Sequence, residues 1–141
     1  MIYRILDGYK YELAEPVIVQ TGILEQVCQL HSEELDHLYI RLHADGQLFI
    51  NKRYAWDGAS GIPDNKNVMR ASLVHDALYQ LMREGLLDRE FREAADDELR
   101  QICLEDGVGK FSAWCIWKAV RLFAEKASLP EKKPRGQIVE I

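Results

Sequence analysis

The hydrophobic residues of this chain change period half-way along, which limits the folds open to it more than any other feature. Up to about residue 54, β-branched and aromatic residues dominate, in "YKYELAEPVIVQTGI" at 9–23, "HLYIRL" at 37–42 and "QLFINKRY" at 47–54. Asp45-Gly46 supplies the positive-φ turn chemistry of a hairpin, and Tyr39, Arg41, Gln47, Phe49 and Asn51 fall in the period-2 register of facing strands. An antiparallel sheet is expected. The stretch "ILEQVCQLHSEELDH" at 23–37 suits either a short helix or an extra strand.

Residues 54–67, "YAWDGASGIPDNKN", form a loop by composition. Beyond it Val68, Ala71, Leu73, Val74, Leu78, Leu81 and Met82 recur at helical spacing, and Gly85 marks a stop. A second helix follows within "LDREFREAADDELRQICLEDG", with Asp88 as N-cap and Gly107 at its end. The stretch "GKFSAWCIWKAVRLFAEKAS" predicts a third, whose stripe of Phe111, Trp114, Trp117, Val120 and Phe123 or Ala124 is expected to face the core. The fold class is α+β: a small N-terminal antiparallel β-sheet, then three α-helices. One domain spans 1–128, with strands mainly in 1–54, the loop at 55–67, helices in 68–127 and a tail at 129–141.

A chain of 141 residues, 48% hydrophobic and 29% charged, is globular and long enough for one core. Its net charge of −5 disfavours a nonspecific grip on nucleic acid, and the basic run "EKKPRG" at 131–136 reads as a solvated terminus. Cys28, Cys103 and Cys115 are odd in number and lack C-x-x-C spacing, so they are expected to be core thiols in a reducing compartment. No N-terminal signal is legible, and no apolar run approaches the roughly 20 residues of a membrane span.

Within the first helix, "RASLVHDALYQLM" places two titratable groups side by side. His75 and Tyr79 lie four apart on one face, and Asp76 is about 100° around from the histidine. Gly58 and Gly61 allow the loop to bend back and present carbonyls, which together with an aspartate suit a hard cation such as Ca²⁺. If the first two helices pack antiparallel, Ala94 and Ala95 permit close approach and Asp96 reaches the imidazole of His75, as the orienting acid of a triad does.

A glycine-containing loop, then H-D-x-x-Y on one helix and A-D on the next, resembles the core of secreted and parvoviral phospholipases A2. The matching positions are 56–63 for the loop, His75, Asp76 and Tyr79, then Ala95, Asp96 and Leu99. More closely, "DGAS-x-I-P" followed by "HDALY" and "AD" resembles an uncharacterised family carried by tailed phages and prophages, over roughly residues 9–125. The phospholipase resemblance implies an antiparallel helix pair, with His75 as general base, Asp96 as its orienting acid and Tyr79 bonded to that carboxylate. Asp76 would hold Ca²⁺ with the 57–61 loop, making Asp57, Gly58 and Ser60 candidate metal ligands. Trp56, the one large aromatic of the loop, is the candidate substrate contact.

This chain departs from those phospholipases in lacking disulfide staples and in a loop with one glycine fewer and Ser60 near its centre. No membrane-docking surface is legible beyond Trp56. The expected function is a phage-encoded, metal-assisted hydrolase attacking an ester in lipid or an envelope component, located in the bacterial host cytoplasm or the phage particle. The alternative is a non-catalytic phage protein that binds another phage or host protein and keeps the His-Asp helix as scaffold. An HD-type phosphohydrolase would need further histidines on helices, whereas His31, His37 and His43 precede the helical half. Ser60 lacks the G-x-S-x-G context of a nucleophile.

Overall fold

The computed structural model describes residues 1–6, 10–24, 26–32, 37–58 and 66–130. Strands β1 (Tyr3–Leu6), β2 (Lys10–Leu13) and β7 (Ala55–Trp56) form one antiparallel sheet in the order β1-β2-β7. A second sheet contains β3 (Val17–Gln20), β4 (Cys28–Ser32), β5 (His37–Leu42) and β6 (Gln47–Ile50), in the order β3-β6-β5-β4. The apolar stretch at 9–23 thus supplies strands to both sheets. Pro16, which has no N–H to donate to a ladder, sits at the crossing between them. The stretch that suited helix or strand yields β4, on the edge of the second sheet.

Alternation decides which face of the second sheet is buried. Ile40 pairs with Ile50 and Leu42 with Leu48, all four fully buried, while the intervening Arg41–Phe49 pair points the other way. Between β5 and β6, the Gly46 N–H donates to the His43 carbonyl and Asp45 Oδ1 accepts from the Gln47 N–H. Gly46 has φ +90°, and a Cβ there would lie 2.3 Å from the Thr21 carbonyl oxygen. The expected Asp-Gly turn is therefore required twice over, by conformation and by close approach.

Three helices follow: α1 (Met69–Arg83), α2 (Arg92–Glu105) and α3 (Lys110–Phe123). Asp88 caps the short 3₁₀ turn that leads into α2, its Oδ1 accepting from the Glu90 N–H at 2.8 Å. The first two helices run antiparallel. Arg70 near the start of α1 bonds Asp106 just past the end of α2, whereas Tyr79, later in α1, bonds Asp96 early in α2. Strand and helix side chains share one core, which includes Leu42, Leu48 and Ile50 of the second sheet, Leu73, Leu78 and Leu81 of α1 and Leu99 and Ile102 of α2.

The third helix corrects the sequence reading. Its buried residues are Ala113 and Ile116, with Val120 and Ala124 packed beside them, while Phe111 is 77% and Phe123 81% exposed and Trp114 is also exposed. Apolar residues lie almost all round this helix, so hydrophobicity alone could not select the facing side. Polar ties select it instead: Trp117 Nε1 donates to Asp97 Oδ1 at 2.9 Å and Arg121 donates to Asp96 Oδ2 at 2.8 Å. The same rotation exposes Cys115, against the expectation of three core thiols; Cys28 and Cys103 are buried. The basic run at 131–136 lies outside the described residues. Among the described residues no helix is long and apolar enough to cross a membrane.

Gly46→Ala should lower the melting temperature by about 5 °C or more, equivalent to about 1–3 kcal/mol of strain. Circular dichroism melting checks this, and a shift below one degree would contradict the role given to the turn.

Candidate functional site

α1 is apolar on nearly every side because it lies between the sheets and α2. Apart from Arg70 near its start, its exceptions form one stripe, with Ser72, His75, Asp76, Tyr79, Gln80 and Arg83 at spacings of three, four, seven, eight and eleven from the first. The stripe borders a hollow of roughly 660 Å³. His75, Asp76 and Tyr79 line it from α1, Asp57 and Gly58 from the loop, and Val120, Phe123 and Lys126 from α3 and the turn after it.

Asp96 joins the stripe from α2, where the fully buried Ala95 beside it lets the helices approach closely. Its carboxylate has no exposed surface. Oδ1 accepts from Tyr79 Oη at 2.6 Å and from His75 Nε2 at 2.7 Å, and Oδ2 accepts from Arg121 at 2.8 Å. The Tyr79 hydroxyl in turn accepts from Arg92 Nε at 3.1 Å, and the same guanidinium donates to the Val120 and Arg121 carbonyls at the end of α3. An ionised carboxylate only accepts, so Nε2 carries the proton and Nδ1 of the neutral ring is the lone-pair nitrogen. No hydrogen bond engages Nδ1 among the described residues, and the His75 side chain remains 13% exposed at the hollow.

The two aspartates of this region have opposite environments. Burial pushes the Asp96 carboxyl up, but the hydrogen bonds from His75, Tyr79 and Arg121 outweigh it and hold the group below the usual carboxylate range. Burial also raises Asp76, and there it prevails over the opposing charges of Arg83 and His75, with Asp57 adding to the rise. The Tyr54 hydroxyl lies 3.5 Å from Asp76 Oδ2, a long contact, and also donates to Gln80 Oε1 at 3.1 Å. Asp76 is thus a half-buried carboxylate with little internal compensation, beside a second carboxylate at a hollow.

The structure brings together His75, Asp76, Tyr79, Asp96, Asp57 and Gly58 as the sequence predicts. Ser60 and Gly61 lie outside the described residues. Trp56 is corrected: it is 2% exposed, packs against Tyr3 and Tyr11, donates from Nε1 to Ser72 Oγ at 3.1 Å and does not line the hollow. Its strand pairs with β2, which turns the indole into the core instead of towards a ligand. Among the described residues no group of three or more His, Cys, Asp and Glu is arranged to hold a metal. Sequence reasoning missed Arg92, Arg121 and the wall made by α3. An isolated arginine in an otherwise apolar helical stretch was the available signal for Arg121.

Residues 36–120 match the family described as "Protein of unknown function (DUF1353)". The chain belongs to the DUF1353 family. The matched region includes every His, Asp and Tyr of the site and ends one residue before Arg121. No curated protein and no solved structure matches this DUF1353 chain.

Because folded Asp96 ionises at a lower pH than unfolded aspartate, its ionic contribution is complete above about pH 4 and is lost as pH falls through the folded value. Asp96→Ala should cost about 3–5 kcal/mol at neutral pH, since Arg121 is left without its counter-charge and His75 and Tyr79 without their acceptor. It should also flatten the acid limb of the stability profile, as read by urea unfolding between pH 2 and 7. Asp76 has the opposite sign: its raised folded value favours folding when protonated, and that benefit is lost as pH rises through it. Asp76→Asn should therefore stabilise the neutral-pH protein by about 1 kcal/mol. A lowered melting temperature would contradict this assignment.

Proposed function

We propose that this DUF1353 protein is a hydrolase of phospholipase A2-like type, in which His75 activates water to attack an ester of a lipid or envelope component. The observation that carries this reading is the division of the His75 ring, with Nε2 held by buried Asp96 and Nδ1 without a partner among the described residues at a hollow lined by Asp76. Nδ1 would take a proton from water as the oxygen attacks the carbonyl carbon, and the imidazolium would return that proton to the departing alkoxide. Asp96 would hold the ring and offset its transient charge. Tyr79 and Arg121 would hold Asp96.

Asp76 and Asp57 fit a hard cation, because two carboxylates border one hollow and Asp76 is only weakly compensated by its neighbours. Ca²⁺ would be held there by these side chains with the Gly58 carbonyl, and would supply polarisation of the substrate carbonyl. Carriage by a phage, with residence in the host cytoplasm or the particle, belongs to the same proposal through the D-G-A-S and H-D-A-L-Y motifs.

One observation favours the scaffold alternative. Asp96 and Tyr79 engage two arginines as well as the histidine, more donors than orienting a base requires, and these bonds tie three helices together. A non-catalytic phage or host-binding protein would keep them for stability.

Ester panels ranging from short-chain nitrophenyl esters to phospholipid esters separate the two readings. Hydrolysis should fall about 10²–10⁴-fold in His75→Ala with the fold retained. A wild type inactive on every ester, with His75→Ala destabilised by about 1–3 kcal/mol, would establish the scaffold instead. Added CaCl₂ should raise the melting temperature of the wild type but not of Asp76→Asn; equal responses would remove the cation from the site.

A further inference from the structure

The outer face of α3 presents Phe111, Trp114, Lys118 and Leu122 at helical spacings of three, seven and eleven from the first. Phe111 and Leu122 are 77% and 60% exposed, and the Phe111 and Trp114 rings stack at 6.4 Å. The stripe continues to Phe123, which borders the hollow, and to exposed Lys126 on the same rim. Charge distinguishes this region from the rest of the chain. Residues 110–129 contain Lys110, Lys118 and Lys126 against Glu125 alone, with Arg121 turned inward to Asp96, although the whole chain is net −5.

We infer that this face of α3 docks on an anionic lipid surface, placing the mouth of the hollow against the bilayer. Aromatic and leucine side chains flanked by lysines, on a helix lying flat, combine apolar insertion with attraction to anionic headgroups. A second copy is the poorer occupant. Two-fold pairing of this face about its middle would bring Lys118 against its own counterpart, a like-charge contact at the centre of the interface. Docking of this kind deepens the hydrolase reading by making the ester a membrane lipid, and it rests on that reading for the substrate but not for the contact.

The test uses the full chain with unilamellar vesicles of phosphatidylglycerol or phosphatidylcholine in EDTA, so that neither a divalent cation nor turnover contributes. The wild type should sediment with phosphatidylglycerol vesicles at least ten-fold more tightly than with phosphatidylcholine, with a blue shift in tryptophan emission. Phe111→Ser/Leu122→Ser and Lys118→Glu should each weaken binding at least ten-fold. Neither variant alters a residue lining the hollow, so hydrolysis of a monomeric short-chain ester should stay within two-fold of wild type. Wild type that remains in the supernatant, variants that sediment equally well, or a dimer in analytical ultracentrifugation that the double substitution dissolves would each overturn docking. Vesicle binding without hydrolysis of any ester would leave docking intact and remove the hydrolase. Hydrolysis of the monomeric ester without vesicle binding would do the reverse.

Discussion

A carboxylate with no exposed surface must have its charge met within the protein, and Asp96 meets that demand with groups from two other helices. His75 and Tyr79 reach it from α1 and Arg121 from α3, while Arg92 of its own helix braces the tyrosine and the end of α3. Desolvating the charge is costly, and the surrounding hydrogen bonds compensate only while all three helices hold their positions. One side chain therefore links α1, α2 and α3. It also orients the imidazole.

Asp76 completes the contrast on which the functional reading rests. The two acids lie close to the same histidine, yet hydrogen bonding lowers one carboxyl and burial raises the other. Groups whose environments separate their ionisation in this way suit different roles. Asp96 is matched internally by hydrogen bonds, whereas Asp76 is not, which is why the proposed hydrolase gives the first a positioning role and the second a cation. A purely structural network has no need of a second, poorly compensated carboxylate at an open hollow.

The third helix connects the buried network to the surface. Because Arg121 must reach Asp96, and Trp117 must reach Asp97, the rotation of α3 is set on its polar residues. Phe111, Trp114 and Leu122 are left outward as a consequence. The interaction that orders the site thus also creates the apolar face beside its mouth, the face proposed above to meet a lipid surface.

Much of this was legible in the sequence because it depends on local rules. Alternating residues in β5 and β6, the Asp45-Gly46 turn, the stop at Gly85 and the helical spacing of α1 follow from backbone geometry and side-chain period. The pairing of His75 with Asp96 was legible too, since a short connection favours α1 and α2 antiparallel and brings those positions together, whereas the Tyr79 bond to Asp96 was implied only by the phospholipase resemblance. Three matters awaited the tertiary structure. Trp56 reads as a loop aromatic but is drawn inward by pairing with β2; α3 offers apolar residues on nearly every side, so only long-range polar contacts choose its rotation; and the arginines at 92 and 121 look like ordinary surface cations until the fold gives Arg121 the buried Asp96 carboxylate and Arg92 the Tyr79 hydroxyl and the end of α3. Period and turn chemistry act over a few residues, whereas burial of a charge is decided by everything that packs around it.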